Sequence, residues 1–210
     1  MFAEAIGAIL LGWVNETFVD VRHSFTFFGF EWTDFLIGET MIWYYVIMGI
    51  LGIFIMIGYR YKMSMIIFSI MWALSYFMQK SHYNNHYYLV MLVSFWLLFM
   101  PAHRYASLDV KHGRVEKALS CPNWCFLYFK IQFAIVYFFA AIAKMYPDWL
   151  AAKPIKIWLS YKTHYPIVGG LFEYDWFPYV IAYGGIAFDA LVIPMLLFRK
   201  TRMLAVILSL

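Results

Sequence analysis

Long apolar runs, broken by short clusters of charged, proline and aromatic positions, set the pattern of this chain. Within the runs polarity does not alternate residue by residue, as it would along a membrane-spanning strand. In hydrocarbon the backbone N–H and C=O groups need partners within their own segment, so the runs predict helices. Five complete spans are expected, at about Met41–Gly58, Met63–Met78, Asn85–Met100, Phe129–Met145 and Phe177–Phe198. Partial spans are expected at Phe2–Val14 and from Met203 onward. Pro101 and Pro147 close two of the spans, and Pro194 is expected to kink the last complete one. The expected fold class is all-α, a polytopic transmembrane helical bundle with five complete and two partial spans, forming one transmembrane domain over residues 1–210. Met1–Val14 lacks the basic region and cleavage site of a signal peptide. Both chain ends read as parts of longer helices, so a piece of a longer protein is expected.

The basic residues test this span count. Loops of one parity hold Arg60, Lys62, Arg104, Lys111, Arg114, Lys117, Arg199, Lys200 and Arg202. The longer loops of the other parity hold only Arg22, Lys80, Lys153, Lys156 and Lys162. The richer set is expected to face the cytoplasm. The loop over residues 15–40, with five acids and one Arg, fits the outer side. Two outer segments, Phe25–Phe35 and Pro154–Trp176, mix aromatic with charged positions and are expected to lie on the outer leaflet. The expected location is the cell (inner) membrane, with the lipid bilayer as the first partner.

Composition sharpens the class. Hydrophobic residues make up 64% and charged residues 13%, against roughly a quarter charged in ordinary globular domains. The formal charge of +4 sits beside the spans rather than on one basic face, which argues against nucleic acid as a partner. Cys121 and Cys125 are expected on one helical face as ordinary thiols, without the His neighbours a metal site needs, so no metal is expected. No internal repeat is visible, which counts against the repeated halves of many transporters.

Two polar clusters are expected at about the same depth on the outer side: Gln79–His86 and Lys144–Trp149. Lys144 follows Ala140, Ala141 and Ala143, small residues that permit close helix packing. Desolvation favours the neutral amine, which can act as a general base. The competing reading is a snorkelling lysine whose ammonium reaches the headgroups. Asn84, Asn85 and His86 can orient a polar ring and exchange protons, or simply cap a helix. Asp189, with Gln132 at comparable depth as a hydrogen-bond partner, is expected to be structural and too deep to touch Lys144. Lys130, Tyr137 and Lys144 recur every seven residues and share one helix face.

The stretch Lys80-Ser-His-Tyr-Asn-Asn-His86-Tyr-Tyr-Leu resembles the K-[ST]-x-(x)-N-N-H-x-Y-L stretch of vitamin K-dependent γ-glutamyl carboxylases. Val136–Trp149 resembles their I-V-Y-F-x-A-x-x-K-x-x-x-D-W stretch. Phe99–Asp109 resembles their F-M-x-A-x-x-x-x-S-x-D run, and Gly184–Asp189 their G-G-x-x-x-D run. The whole chain is thus similar to part of the transmembrane region of that family, the HTTM domain, in a bacterial-type form.

The resemblance implies that Lys144 acts as base on reduced vitamin K, a menaquinol- or phylloquinol-type naphthoquinol. Its oxidation by O2 to the epoxide would drive carboxylation of a glutamate-containing protein substrate with CO2, a carbon–carbon lyase activity. His86 would share in the catalysis, and Lys80, Tyr83, Asn84, Asn85 and Trp149 would contact cofactor or substrate. Three features depart from the pattern. Ala143 stands where the animal enzymes have a Lys, Cys121 and Cys125 do not match their disulfide, and their extramembrane domain and F-H-x-x-N run have no counterpart in these residues. Two other readings stay open: a quinone- or lipid-binding membrane protein without turnover, and a transporter.

Overall fold

The computed structural model describes residues 1–21, 23–82, 84–166 and 168–209. Among the described residues the regular structure is helical throughout. The chain divides into two compact units, Met1–Cys121 and Pro122–Leu210.

The first unit begins with α1 (Phe2–Leu10), followed by a π-helical turn at Asn15–Val19 and a 3-10 turn at Glu31–Leu36. Two 18-residue helices, α2 (Thr40–Ile57) and α3 (Tyr61–Met78), form its centre. α1 lies against α2 where Gly52 leaves no side chain: a Cβ there would come within 2.8 Å of the Phe2 backbone. Such small residues let helix backbones approach closely. Ala5, Phe18, Met41, Met48, Phe68 and Met78 are completely buried around this seam.

α4 (Asn85–Leu97) is shorter than the sequence suggests. Its last turn tightens, with the N–H groups of Leu98, Phe99 and Met100 bonding three residues back to Phe95, Trp96 and Leu97. Pro101 follows at once and ends the run. The loop before α2 folds back on the end of α3: Phe27 N–H donates to Phe77 O at 3.0 Å, and Lys80 N–H to Phe25 O at 2.7 Å.

At the opposite end of this unit a polar cap joins α2, α3 and the short α5 (Leu108–Lys111). Gly58 closes α2 at φ 64°, a left-handed position that glycine adopts without strain. The Asp109 carboxylate accepts from the Arg60 and Tyr61 N–H groups, each at 2.9 Å, capping the start of α3. Arg114 adds an ion pair at 3.1 Å. Burial pushes the Asp109 pKa up, but the two amide bonds and Arg114 outweigh it, so the carboxyl sits below its ordinary value.

The second unit opens with α6 (Asn123–Ala143), which starts six residues before the expected boundary, directly after Pro122. Cys121 therefore precedes the helix while Cys125 is buried on it, so the two thiols do not share a helical face. Lys130 lies within the helix rather than at its end. α7 (Pro147–Leu150) and α8 (Lys153–Ser160) lead to a 3-10 turn at Gly169–Glu173, then to α9 (Phe177–Leu197) and α10 (Arg202–Ser209). Pro194 falls in the final turn of α9, where its missing N–H removes one helical bond. Ala182 of α9 is buried against Ala152, Ile155 and Leu159. The residues expected on the outer leaflet thus pack on α9 as well.

Among the described residues α2, α3, α6 and α9 are long and apolar enough to cross a membrane, with mean hydropathies of 2.1, 1.2, 1.9 and 2.0. α1, α4 and α10 are shorter, at nine, thirteen and eight residues. Only 11% of the apolar window of α6 is buried, so its outward surface is hydrophobic on nearly every side. A helix of that kind needs an apolar surrounding, which a bilayer supplies. This is a polytopic helical membrane protein.

Candidate functional site

Lys144 is the C-cap of α6. Its stem turns back onto the helices. The ammonium nitrogen bonds the Asp189 Oδ2 of α9 and lies 5.6 Å from the Trp149 ring centroid. The Lys144 side chain is 28% exposed and that of Asp189 8%. This corrects the expectation that Asp189 lies too deep to reach. α9 overshoots the end of α6, and its first turns pack on α7 and α8, where Trp149 Nε1 donates to Ala182 O at 3.1 Å. The lysine stem then spans the remaining turn to Asp189. Of the small residues before Lys144, Ala141 is buried in a packed seam, Ala140 is half-buried and Ala143 is exposed.

Gln132 is half-buried on α6, and the carboxylate partner of this region is Lys144 rather than its amide. The pairing has a chemical consequence. An intramembrane acid and amine in contact form a unit of zero net charge whichever atom holds the proton, which lowers the cost of keeping either in a dry region. The proton can move between Nζ and the carboxylate without crossing the site.

In the first unit, Asn84 is the N-cap of α4: its Oδ1 accepts from His86 N–H at 2.8 Å. The same oxygen is 2.9 Å from His86 Nδ1. A carboxamide oxygen only accepts, so Nδ1 carries the hydrogen of this bond and, in the neutral ring, Nε2 is the accepting nitrogen. Asn84, Asn85 and His86 are all exposed. Lys80 is exposed too, with its ammonium 5.8 Å from the Phe27 ring centroid. Tyr83, expected to contact the ligand, lies outside the described residues.

The residue that organises this cluster is Gln79, 4% exposed. Its amide nitrogen donates to Thr17 O at 3.0 Å, and its oxygen accepts from Phe25 N–H at 3.1 Å and from Ser81 Oγ at 3.0 Å. Beside it a narrow cleft, partly open to the surface, is lined by Trp13, Phe18, Tyr45, Trp72, Tyr76 and Tyr87. Glu4, Ser75, Gln79 and His82 supply its polar atoms. Tyr45 and Ser75 share a buried hydroxyl bond of 2.6 Å.

Of these residues the sequence reading singles out Gln79 and His82, as members of the polar cluster Gln79–His86. Glu4 carries the one signal that was available, a charge inside an apolar helix. The aromatic positions look like ordinary core until the fold brings them together. Among the described residues no group of three or more His, Cys, Asp or Glu side chains is arranged to hold a metal ion.

A family model described as the HTTM domain matches residues 1–210. No solved structure matches the chain.

Proposed function

The chain belongs to the HTTM-domain family, and from that premise we propose that it is a membrane enzyme that oxidises a reduced naphthoquinone with O2, coupled to carboxylation of a glutamate side chain by CO2. The family is associated with vitamin K-dependent carboxylase-like membrane proteins. The observation that carries the proposal is Lys144: the motif-matched amine is bonded to Asp189 and lies beside the Trp149 ring.

The naphthoquinol, when bound, supplies the oxidisable ring. Independently of the Lys144 pair in the second unit, the aromatic cleft of the first unit has the chemistry to bind a conjugated ring, because aromatic faces line it while Ser75, Gln79 and His82 offer hydrogen bonds. Lys144 accepts the proton of a quinol hydroxyl at Nζ. Asp189 is a positioning residue: it holds Nζ in place and takes a proton from the ammonium, returning the amine to its basic form. Trp149, fixed by its bond to Ala182 O, lies over the amine with a ring face and shields it on that side. Within the first unit His86, held by Asn84, offers Nε2 of its neutral ring as a proton acceptor.

The test is epoxide formation from a naphthoquinol in membranes containing the protein, with and without Lys144→Ala. The proposal expects O2-dependent epoxide in the wild type and a fall of at least about 100-fold in the variant, the usual worth of a general base. Equal yields would overturn it. The aromatic cleft also supports a second reading, quinol binding without turnover. That reading predicts saturable naphthoquinol binding in both forms and no epoxide from either.

A further inference from the structure

The cap at the α2–α3 turn of the first unit carries an unusual concentration of charge. Residues 59–62 and 101–118 hold Arg60, Lys62, Arg104, Lys111, Arg114 and Lys117 against Asp109 and Glu116. That surplus of four equals the formal charge of the whole chain. Asp109 points inward, 4% exposed, and is consumed by Arg114 and the start of α3. Arg60, Lys62, Arg104 and Lys111 are all exposed, and Arg114–Asp109 is the single ion pair of this cap among the described residues.

The charges stand on a fixed frame. Asp109 N–H donates to Gly58 O at 2.9 Å, Ala118 N–H to Arg104 O at 2.7 Å, and the His103 ring stacks on Tyr61 at 4.7 Å. The Arg114 guanidinium lies 4.9 Å from the Tyr59 ring centroid, and the Lys117 ammonium 5.1 Å from that of Tyr105. A surface ordered in advance loses little freedom on binding.

We propose that this cap is a docking surface for the headgroups of acidic phospholipids. Charge complementarity selects an anion, since basic clusters just beyond a membrane helix attract acidic lipid. A second observation selects a lipid surface over a soluble anion. Phe99 and Tyr105, each 59% exposed, and Leu119, 85% exposed, stand among the cations. Aromatic and apolar side chains beside cations suit the boundary between headgroup and acyl chain. A nucleic acid or an acidic peptide in water would leave them without an apolar partner.

The experiment uses the full chain in detergent and compares fluorescent phosphatidylglycerol with phosphatidylcholine as probes. The expected result is a preference of about tenfold for phosphatidylglycerol at low salt, shrinking as salt rises. Arg60→Gln, Lys62→Gln and Arg104→Gln together abolish that preference. Lys153→Gln, Lys156→Gln and Lys162→Gln, an equal charge loss outside the cap, leave it intact. If the first triple variant fails to fold, Lys111→Gln alone lowers the preference about threefold. No preference in the wild type, or an equal loss from the control triple, overturns the proposal. Full displacement of the probe by glycerol phosphate assigns the surface to a soluble phosphate and overturns the lipid. Tighter binding of an acidic peptide or an oligonucleotide overturns it as well.

Discussion

Lys144 and Asp189 touch each other at the end of α6, and this contact sets a double-substitution experiment whose outcome can be worked out beforehand. Replacing Lys144 by Met keeps the length of the stem but leaves the carboxylate of Asp189, 8% exposed, without its ion partner. Removing one partner of a buried ion pair costs about 3–5 kcal/mol. The lower end applies here, because Lys144 is 28% exposed and the pair is not sealed off. About 3 kcal/mol corresponds to a fall in Tm of roughly 6–12 °C for a chain of this size. Asp189→Asn is milder, about 1–2 kcal/mol, because the freed lysine can extend toward polar surroundings while the amide still accepts a hydrogen bond. The double variant removes both charges together. It should be no less stable than Lys144→Met, so that the interaction energy from the cycle is at least about 1 kcal/mol. The assay is thermal unfolding in detergent for the wild type, both single variants and the double. Losses that simply add, with an interaction energy below about 0.5 kcal/mol, would refute the pairing.

Four further outcomes follow from the first unit. Asp109→Asn leaves one of the Arg60 and Tyr61 N–H groups facing a donor, which costs about 2 kcal/mol and should speed amide hydrogen exchange at those residues about thirtyfold. The same carboxyl is held below its ordinary pKa, so its contribution to stability is complete above about pH 3.9 and declines as the pH falls through the lower folded value; proteolysis of the cap at pH 5 and pH 3 measures this, and equal rates would contradict it. Gly58→Ala places a Cβ at φ 64° and 2.3 Å from Ser107 Cβ, so the turn must shift at a cost of about 2 kcal/mol or more, visible as a lower Tm. Asn84→Ala removes the N-cap of α4 for about 1 kcal/mol, whereas Asn84→Asp retains it; equal thermal shifts would show that capping is not the role of this side chain.

The helices were legible because long apolar runs have one physical solution in a bilayer. α2, α3 and α9 fall within two residues of the boundaries read from hydropathy. The start of α6 was not legible: Asn123 and Trp124 look like loop, and only Pro122 marks the true beginning. α4 keeps its N-terminus because Asn84 carries a local capping signal, but its final turn depends on Pro101 and tightened bonds that hydropathy does not register. The Lys144–Asp189 contact joins residues 45 positions apart and depends on how far α9 overshoots α6. No local pattern encodes that offset. The cleft was hidden for the same reason, since Trp13, Tyr45, Trp72 and Tyr87 each read as an ordinary helix or turn residue until α1, α3 and α4 pack around α2 and its neighbours. The Asp109 cap lay inside a motif that could be matched, yet its role as an N-terminal clamp for α3 came only from the two backbone bonds.

Chemical rescue addresses the role of Lys144 most directly. Membranes carrying Lys144→Ala, given a naphthoquinol and O2, should regain epoxide formation when a small amine such as methylamine is added. The recovered rate should rise with amine concentration and with the fraction of amine left unprotonated. A rate that ignores the amine, in a variant that still binds the naphthoquinol, would mean that the nitrogen at the end of α6 is not the base.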